Sequence, residues 1–431
     1  MALPGPAGAG ADDRGPLRAA FSGLTTRGRS FLAAGGAAAA CAYLLGQSDL
    51  LRVGALLVAL PLLCVVIVHQ TRSRVAAARR LTPARVDAGT DARVHLRVEN
   101  VARVPSGMLL LQDRLPYALG PRPRFVLDRI EPGERREVTY RVRSDQRGRY
   151  PIGPLQLRLA DPFGMVELTR SFHSYDMMTV LPRVEPLPPV RLGGDAAGGD
   201  DGAGRTVAVS GADDIIPREY RHGDDLRRVH WRSTAHRGTL MVRREEQPVR
   251  AHCTILLDTR RVAYAGAGPG SPFERAVSGA ASAVRHLVER DYVVRLVTET
   301  GLQLPGPETH ASGGEVLDLI MDALALIDHS AETGLDGAGT ALRGADSGLI
   351  VAFLGAVDRT QNEVLGRLRQ RATGSVAFVA AGQVDPGLEA TRLERLRASG
   401  WTALPLQPGV PLGQLWQQAA QELAVRGGGR S

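Results

Sequence analysis

Two long apolar stretches near the N-terminus constrain this chain more than any other feature. Ser30–Gly46 carries no charge, and Leu50–Val68 carries only Arg52 near its start. Each reaches the lower length limit of about 17 residues for crossing the hydrocarbon of a bilayer. Together they predict a transmembrane helical hairpin over residues 30–70, with the lipid bilayer as its partner. Gly46 to Asp49 would form the tight connection, and Gly35, Gly36, Ala39 and Ala40 are small enough for close helix approach. A cleaved signal has a single short apolar core, and a soluble helix pair needs a polar face; neither description fits. Arg14, Arg18, Arg27 and Arg29 precede the first stretch and Arg72, Arg74, Arg79 and Arg80 follow the second. The positive-inside rule then puts both termini, and the soluble domains, on the cytoplasmic side of a multi-pass membrane protein. Residues 1–29, rich in Gly, Ala and Pro, read as a disordered tail.

From about Leu81 the periodicity becomes that of strands. Arg93 to Val98 alternates polar and apolar, as do Glu134 to Val142 and Leu155 to Leu159, and Met108 to Leu111 is a short apolar run. Turn signals separate them at Pro132-Gly133, Gly148, Gly153-Pro154 and Asp161-Pro162-Phe163-Gly164. This pattern predicts a small antiparallel β-sandwich over residues 81–190. Residues 193–212, rich in Gly, Asp and Ala, read as a linker.

Arg218 to Gln247 is arginine-rich, with five carboxylates interleaved and one tryptophan. Gly223 and Asp224 mark a turn, Asp224-Asp225 would cap a helix starting near Leu226, and Val229 and Trp231 supply apolar anchors. His222, His230 and His236 do not share a helical face, which argues against a metal site. Interleaved acids and scarce stacking aromatics argue against nucleic acid. The remaining reading is a packing and salt-bridge element between two domains, suited to the planar fork of arginine. The run Arg218-x-Tyr220-x-x-Gly223-Asp224-x-x-Arg228-x-His230-Trp231 resembles the signature of domain-of-unknown-function family 58. Arg147-Gly148-Arg149-Tyr150, Gly153-Pro154 and Asp161-Pro162-Phe163-Gly164 resemble the β-rich region of that family, and the predicted hairpin fits its layout. His222 and His236 depart from its usual residues. The family has no established reaction. Its likeness to the von Willebrand A proteins that accompany MoxR-type AAA+ ATPases implies a chaperone-like or envelope-assembly role at a bacterial cell membrane, with such an ATPase as protein partner.

Beyond residue 251 strands and helices alternate to about residue 425. Strands are predicted at His252–Leu257, Tyr292–Val297, Gly348–Leu354, Ser375–Val379 and Trp401–Leu406. Helices are predicted at Pro272–Glu289, Val316–Ile327, Leu388–Ala398 and Leu412–Ala424. The alternation predicts a doubly wound α/β domain of von Willebrand A type, followed by a short tail at 426–431. Asp258 ends the first of these strands, where an Asp-x-Ser-x-Ser motif would ligate Mg²⁺. The sequence has Asp258-Thr259-Arg260-Arg261-Val262 instead, and Leu354-Gly355 stands where a second acid would be needed. Arg260 and Val262 are expected to refill the pocket, with Asp258 paired to Arg260, Arg261 or a neighbour; no metal or cofactor is expected. The chain has no lysine to complete a nucleotide-binding loop. Cys41, Cys64 and Cys253 read as buried thiols.

These features favour a non-enzymatic membrane scaffold whose binding residues are Arg218, Tyr220, Gly223, Asp224, Arg228, His230, Trp231 and Asp258. Two other readings stay open. The net charge of +8 would suit a polyanion or nucleic-acid binder, and His230 with Asp224 would suit an uncharacterised hydrolase.

Overall fold

A computed structural model describes residues 23–72, 75–103, 105–106, 108–161, 163–190, 192, 217–220, 229, 231–243, 251–306, 312–343, 347–380, 382 and 385–428. The fold is mixed α/β with several sheets. Helix α1 (Thr26–Leu45) starts at Thr25, whose hydroxyl accepts the backbone N–H of Gly28, and ends at Gly46 in the left-handed conformation (φ 68°) that glycine adopts without strain. Gln47 completes the connection to α2 (Ser48–Arg72). The helices meet at glycines: a Cβ on Gly35 would lie 2.9 Å from the Gly54 carbonyl oxygen, and one on Gly54 would lie 3.0 Å from Ala39 N. Among the described residues one helix is long and apolar enough to cross a membrane, over Ser48–Ile67. Tyr43, Leu44, Leu56 and Leu63 are all more than half exposed.

Strand structure begins at β1 (Val75–Thr82), earlier than the predicted start near Leu81, because Val75 and the small Ala76–Ala78 already pair with β3. The remaining strands of this region are β2 (Arg85–Asp87), β3 (Asp91–Asn100), β4 (Leu109–Asp113), β5 (Arg124–Leu127), β6 (Arg135–Arg143), β7 (Gly148–Ile152), β8 (Leu155–Ala160), β9 (Glu167–Phe172) and β10 (Asp176–Leu181). They form three sheets in the orders β1-β3-β6, β2-β10-β7 and β5-β4-β8-β9, antiparallel except where β10 meets β2. The period of two in β3 buries Val94, Leu96 and Val98 against Leu109, Leu111, Leu157 and Ile152. Asn100 ends the run. Fully buried, its side chain donates to Ile130 O (2.9 Å) and accepts from Ala102 N (3.0 Å).

A buried arginine fork braces these sheets. Arg79 on β1, one of the arginines that follow the second apolar stretch, has a side chain only 2% exposed. It donates Nε and Nη2 to Asp113 at 3.0 and 2.7 Å and Nη1 to Ile152 O at 2.9 Å. Tyr140 donates its hydroxyl to the same carboxylate at 2.7 Å, and burial together with the Asp113 charge raises the Tyr140 pKa well above its usual value.

The chain continues through β11 (Pro217–Glu219), α3 (Trp231–Arg237) and β12 (Met241–Arg243), with β11 and β12 antiparallel. Then come β13 (His252–Leu257), α4 (Pro272–Val288), β14 (Val293–Thr298), β15 (Gln303–Leu304), α5 (Gly313–Leu326), α6 (Asp336–Ala341) and β16 (Ser347–Leu354). Last are α7 (Arg359–Arg369), β17 (Ala372–Val379), α8 (Pro386–Ala398), β18 (Thr402–Pro405) and α9 (Leu412–Gly428). Six strands form one sheet in the order β15-β14-β13-β16-β17-β18, parallel except for the β14–β15 pair. Ile350, Ala352 and Leu354 pack with Leu365, Leu368, Leu396 and Trp401 in one core, and the Trp401 indole N–H donates to Leu365 O at 3.0 Å.

Two units divide the chain. One comprises Met1–Glu185, Ala265–Ser282 and Asp318–His329; the other comprises Pro186–Tyr264, Ala283–Leu317 and Ser330–Ser431. Within the first, Arg147 grips the start of α4 and the end of α5. Its fork is bidentate to Glu274 at 2.9 Å, its Nη1 donates to the carbonyls of Leu324 (2.8 Å) and Ile327 (2.6 Å), and its guanidinium lies 5.5 Å from the Phe273 ring centroid. The predicted linker at 193–212 and the part of the predicted 1–29 tail before residue 23 lie outside the described residues, while α1 begins at Thr26, inside that predicted tail.

Removing one partner of a buried, hydrogen-bonded ion pair strands the other charge, at about 3–5 kcal/mol. Arg79→Ala is therefore expected to lower stability by about that amount in thermal or denaturant unfolding of the detergent-solubilised chain. Arg80→Ala, whose side chain is exposed, should change it by about 0.5 kcal/mol or less. Equal losses from the two variants would contradict this account of the sheet core.

Candidate functional site

In the six-stranded sheet the chain runs outward one way from β13 to β14 and returns to the other side of β13 at β16. The carboxyl ends of β13 and β16 therefore form a topological switch point, the place where open α/β sheets bind ligands. Asp258 follows β13 and Gly355 follows β16, so both residues singled out by their position in the sequence meet there.

Asp258 is fully buried, and its carboxylate is filled from within the chain. Oδ1 accepts from the backbone N–H and Nε of Arg260 at 3.1 and 2.9 Å. Oδ2 accepts from Nη2 of Arg260 at 2.8 Å and from Gly355 N at 3.1 Å. Arg260 is 2% exposed and also donates Nη1 to the carbonyl of Thr333 (3.1 Å) and Nη2 to that of Ala356 (3.2 Å). Burial alone would lower the Arg260 pKa, but the hydrogen bonds and charge of Asp258 outweigh it and raise the value, so the guanidinium stays charged. Gly355 is required by space, because a Cβ there would fall 2.6 Å from Ala263 O. A carboxylate at that position is sterically excluded as well as absent.

A second buried carboxylate sits beside this pair. Glu299 follows β14 and is 1% exposed. It accepts the Thr259 N–H at 2.8 Å, the Thr259 hydroxyl at 2.5 Å and the Ser330 hydroxyl in a short hydrogen bond. The hydroxyl of Tyr264 donates to Asp258 O at 2.7 Å, and burial followed by the Asp258 charge raises its pKa well above the usual value. Among the described residues no group of three His, Cys, Asp or Glu is arranged to hold a metal ion. Glu299, Ser330 and Tyr264 were not singled out from the sequence. The legible signal for Glu299 was its place, since like Asp258 it is an acid directly after a buried parallel strand.

The predicted filling of the pocket is corrected in one respect. Arg260 occupies it, but Val262 is 68% exposed, because Arg261–Ala263 form a 3₁₀ turn that carries the isopropyl group outward. Cys253 is buried, with its thiol pKa raised by burial, whereas Cys41 is exposed and so differs from the buried thiol expected there.

The signature segment is placed in part. Arg218 lies on β11 opposite Val242, and Tyr220 is half-buried with its N–H on Leu240 O at 2.7 Å. Val229 is buried, as expected of an anchor, but Trp231 is 71% exposed at the first position of α3. Gly223, Asp224, Arg228 and His230, with the expected helix start near Leu226, lie outside the described residues. The hydrogen bonds of Asp258 run to Arg260 and Gly355, and none runs to a described residue of the signature.

A cavity of about 470 Å³ lies at the opposite, amino-terminal ends of β13 and β14, lined by Leu192, Ala251, His286, Arg290, Tyr292 and Trp416 among others. The His286 pKa is lowered to about 4, by burial first and then by Arg290, so its imidazole is neutral at pH 7. No part of this cavity touches the Asp258 cluster.

The Asp258–Arg260 pair predicts strong coupling. Arg260→Ala leaves a buried carboxylate uncompensated and is expected to cost about 3–5 kcal/mol. Combining it with Asp258→Ala should recover most of that loss. A double-mutant cycle by denaturant unfolding measures the coupling, and additive single losses would contradict the pairing.

Residues 217–353 match the family model described as "Protein of unknown function DUF58". No curated protein matches the chain. Solved structures resemble it only faintly. The CARDB domain of the PF1109 protein from Pyrococcus furiosus is 16% identical, with 25% of this chain and 90% of that chain covered and a TM-score of 0.19. The sporulation control protein Spo0M from Bacillus subtilis is 12% identical, with 25% and 49% covered and a TM-score of 0.17. At such scores the likenesses carry no inference. The match over residues 217–353, which spans β11 through most of β16 and includes Asp258, places that part of the chain in the DUF58 family of proteins of unknown function.

Proposed function

We propose that this chain is a membrane-anchored, non-enzymatic scaffold that presents its six-stranded α/β unit to a protein partner. The observation that carries this reading is the Asp258–Arg260 pair at the switch point. Both carboxylate oxygens are taken by groups of the same chain, so neither acid–base work nor ion binding has a free oxygen to start from. A filled switch point is a rigid surface, and the loops around it are available for docking. In this reading the six-stranded sheet is a von Willebrand A-like domain without its ion, the three sheets built from β1 to β10 are a β-sandwich, and α1 with α2 is a transmembrane hairpin. The exposed Leu51, Val53, Leu56, Leu63 and Val66 support a lipid-facing helix, since a water-soluble surface does not present such a band. The placement of arginines supports a cytoplasmic location for the soluble units.

The resemblance to von Willebrand A proteins that accompany MoxR-type AAA+ ATPases makes such an ATPase the proposed partner. Trp231 is the contact we assign to it. A tryptophan 71% exposed at the head of a short helix adds little to a core, and tryptophan is the residue type most enriched at binding hot spots. Trp231→Ala is expected to weaken binding of a purified MoxR-type ATPase from the same genome by about tenfold or more, equivalent to about 1.4 kcal/mol. Its unfolding midpoint should not move. Calorimetry on the detergent-solubilised full chain reads the first and differential scanning the second. Undiminished binding, or lost stability with it, would overturn the assignment.

A further inference from the structure

The two N-terminal helices do not part from the β-sheets where their apolar sequence ends. Leu24 and Cys64 are buried in one core with Leu157, Leu159, Met165 and Val166, and Phe31, Leu32, Leu60 and Val65 pack half-buried against it. On the other face of α2, at the same level, Leu62, Leu63, Val66 and Ile67 are 40–57% exposed. Length then decides where the bilayer surface lies. The helical segments clear of the sheets, residues 33–45 and 48–59, are only about 20 Å long at about 1.5 Å per residue. The hydrocarbon is about 30 Å thick. Ser48–Ile67, the span long and apolar enough to cross, reaches that thickness only by including Leu60 to Ile67. The protein segment packed against Cys64 is thereby drawn to the bilayer surface.

That segment is the turn between β8 and β9. Asp161 contacts the Cys64 thiol and is itself 6% exposed, with its carboxylate taken by the N–H groups of Phe163 (3.0 Å) and Val166 (2.5 Å). Gly164 O accepts the Thr25 hydroxyl at 2.7 Å, and Met165 O accepts Thr25 N–H at 2.9 Å. A Cβ on Gly28 would fall 2.4 Å from Met165 O, so the glycine permits α1 to lie directly on the turn. With these polar groups satisfied internally, the turn meets lipid at little desolvation cost. Its large apolar side chains Met165 and Val166 are buried, whereas Phe163 is 57% exposed, and the exposed Arg27 and Arg29 stand on the adjoining turn of α1.

We propose that Asp161 and residues 163–166 form a lipid-facing wedge that sets Phe163 into the boundary between headgroups and acyl chains, with Arg27 and Arg29 on anionic headgroups. Aromatic rings and arginines are the side chains favoured at that depth. The proposal rests on the reading of α2 as a membrane span, and the test separates the two.

The full chain, carrying Cys41→Ala to remove the exposed thiol, is reconstituted into phosphatidylcholine–phosphatidylglycerol vesicles. One labelled site is introduced at a time: Leu56→Cys on α2, Phe163→Cys on the turn and Tyr117→Cys as control. Tyr117 is 99% exposed and lies past the Asp113 end of β4, which pairs with the end of β8 remote from the turn. Each site bears an environment-sensitive fluorophore, and quenching by doxyl-labelled lipid is measured. The wedge predicts loss of fluorescence at Leu56 and Phe163, with the shallow quencher most effective at Phe163, and none at Tyr117. Quenching at Leu56 without Phe163 would overturn the wedge and leave the span standing. No quenching at Leu56 would overturn both. Equal quenching at Phe163 and Tyr117 would show nonspecific adsorption and overturn the wedge alone.

Discussion

The bond between Asp258 and Arg260 governs what the α/β unit can do. A buried carboxylate at the switch point of an open parallel sheet is ordinarily held in place by an ion, a substrate or a water network. Here the side chain two residues on in sequence curls back to meet it, bidentate and 2% exposed. Two further N–H groups of that guanidinium donate to carbonyls of two neighbouring loops, at Thr333 and Ala356. Gly355 closes the other side because a Cβ would collide with Ala263 O, and Glu299 is tied by Thr259 and Ser330. The carboxylate at the switch point serves as a cross-brace within the chain, and the proposed docking role rests on that arrangement.

Arginine recurs as the brace of this molecule. Arg79 ties β1 to Asp113, Arg147 ties the turn before β7 to Glu274 and to two helix-end carbonyls, and Arg260 ties Asp258. Each uses the planar fork for a bidentate carboxylate contact and its spare N–H groups for backbone carbonyls, geometry a single ammonium cannot supply. In a chain whose basic side chains are all arginine, these cations are committed internally.

Much of the architecture was legible in the sequence. Period-two runs located β3, β6 and β8, and the apolar stretches located both N-terminal helices within a few residues. The alternation after residue 251 located the main strands and helices of the six-stranded sheet. What escaped had physical reasons. Helix α7 has few apolar positions, Val364, Leu365 and Leu368, among polar residues, and its clearest mark is the Asp358–Gln361 capping box. Strand β1 begins in alanines with weak strand preference. The position of Asp258 and its want of hydroxyl partners were readable, but Glu299, Ser330 and Tyr264 join the cluster only through tertiary packing. Trp231 and Val262 show the limit of composition, since large apolar side chains in short turns lie outside the core.

The central claim is that the Asp258 carboxylate is occupied by a guanidinium and not available to an ion. Manganese binding to the full-length chain, followed by electron paramagnetic resonance beside an Asp258→Asn variant, tests it most directly. The account predicts the same low manganese uptake by both proteins at millimolar ion. Tight uptake by the unaltered chain that disappears in the variant would contradict it.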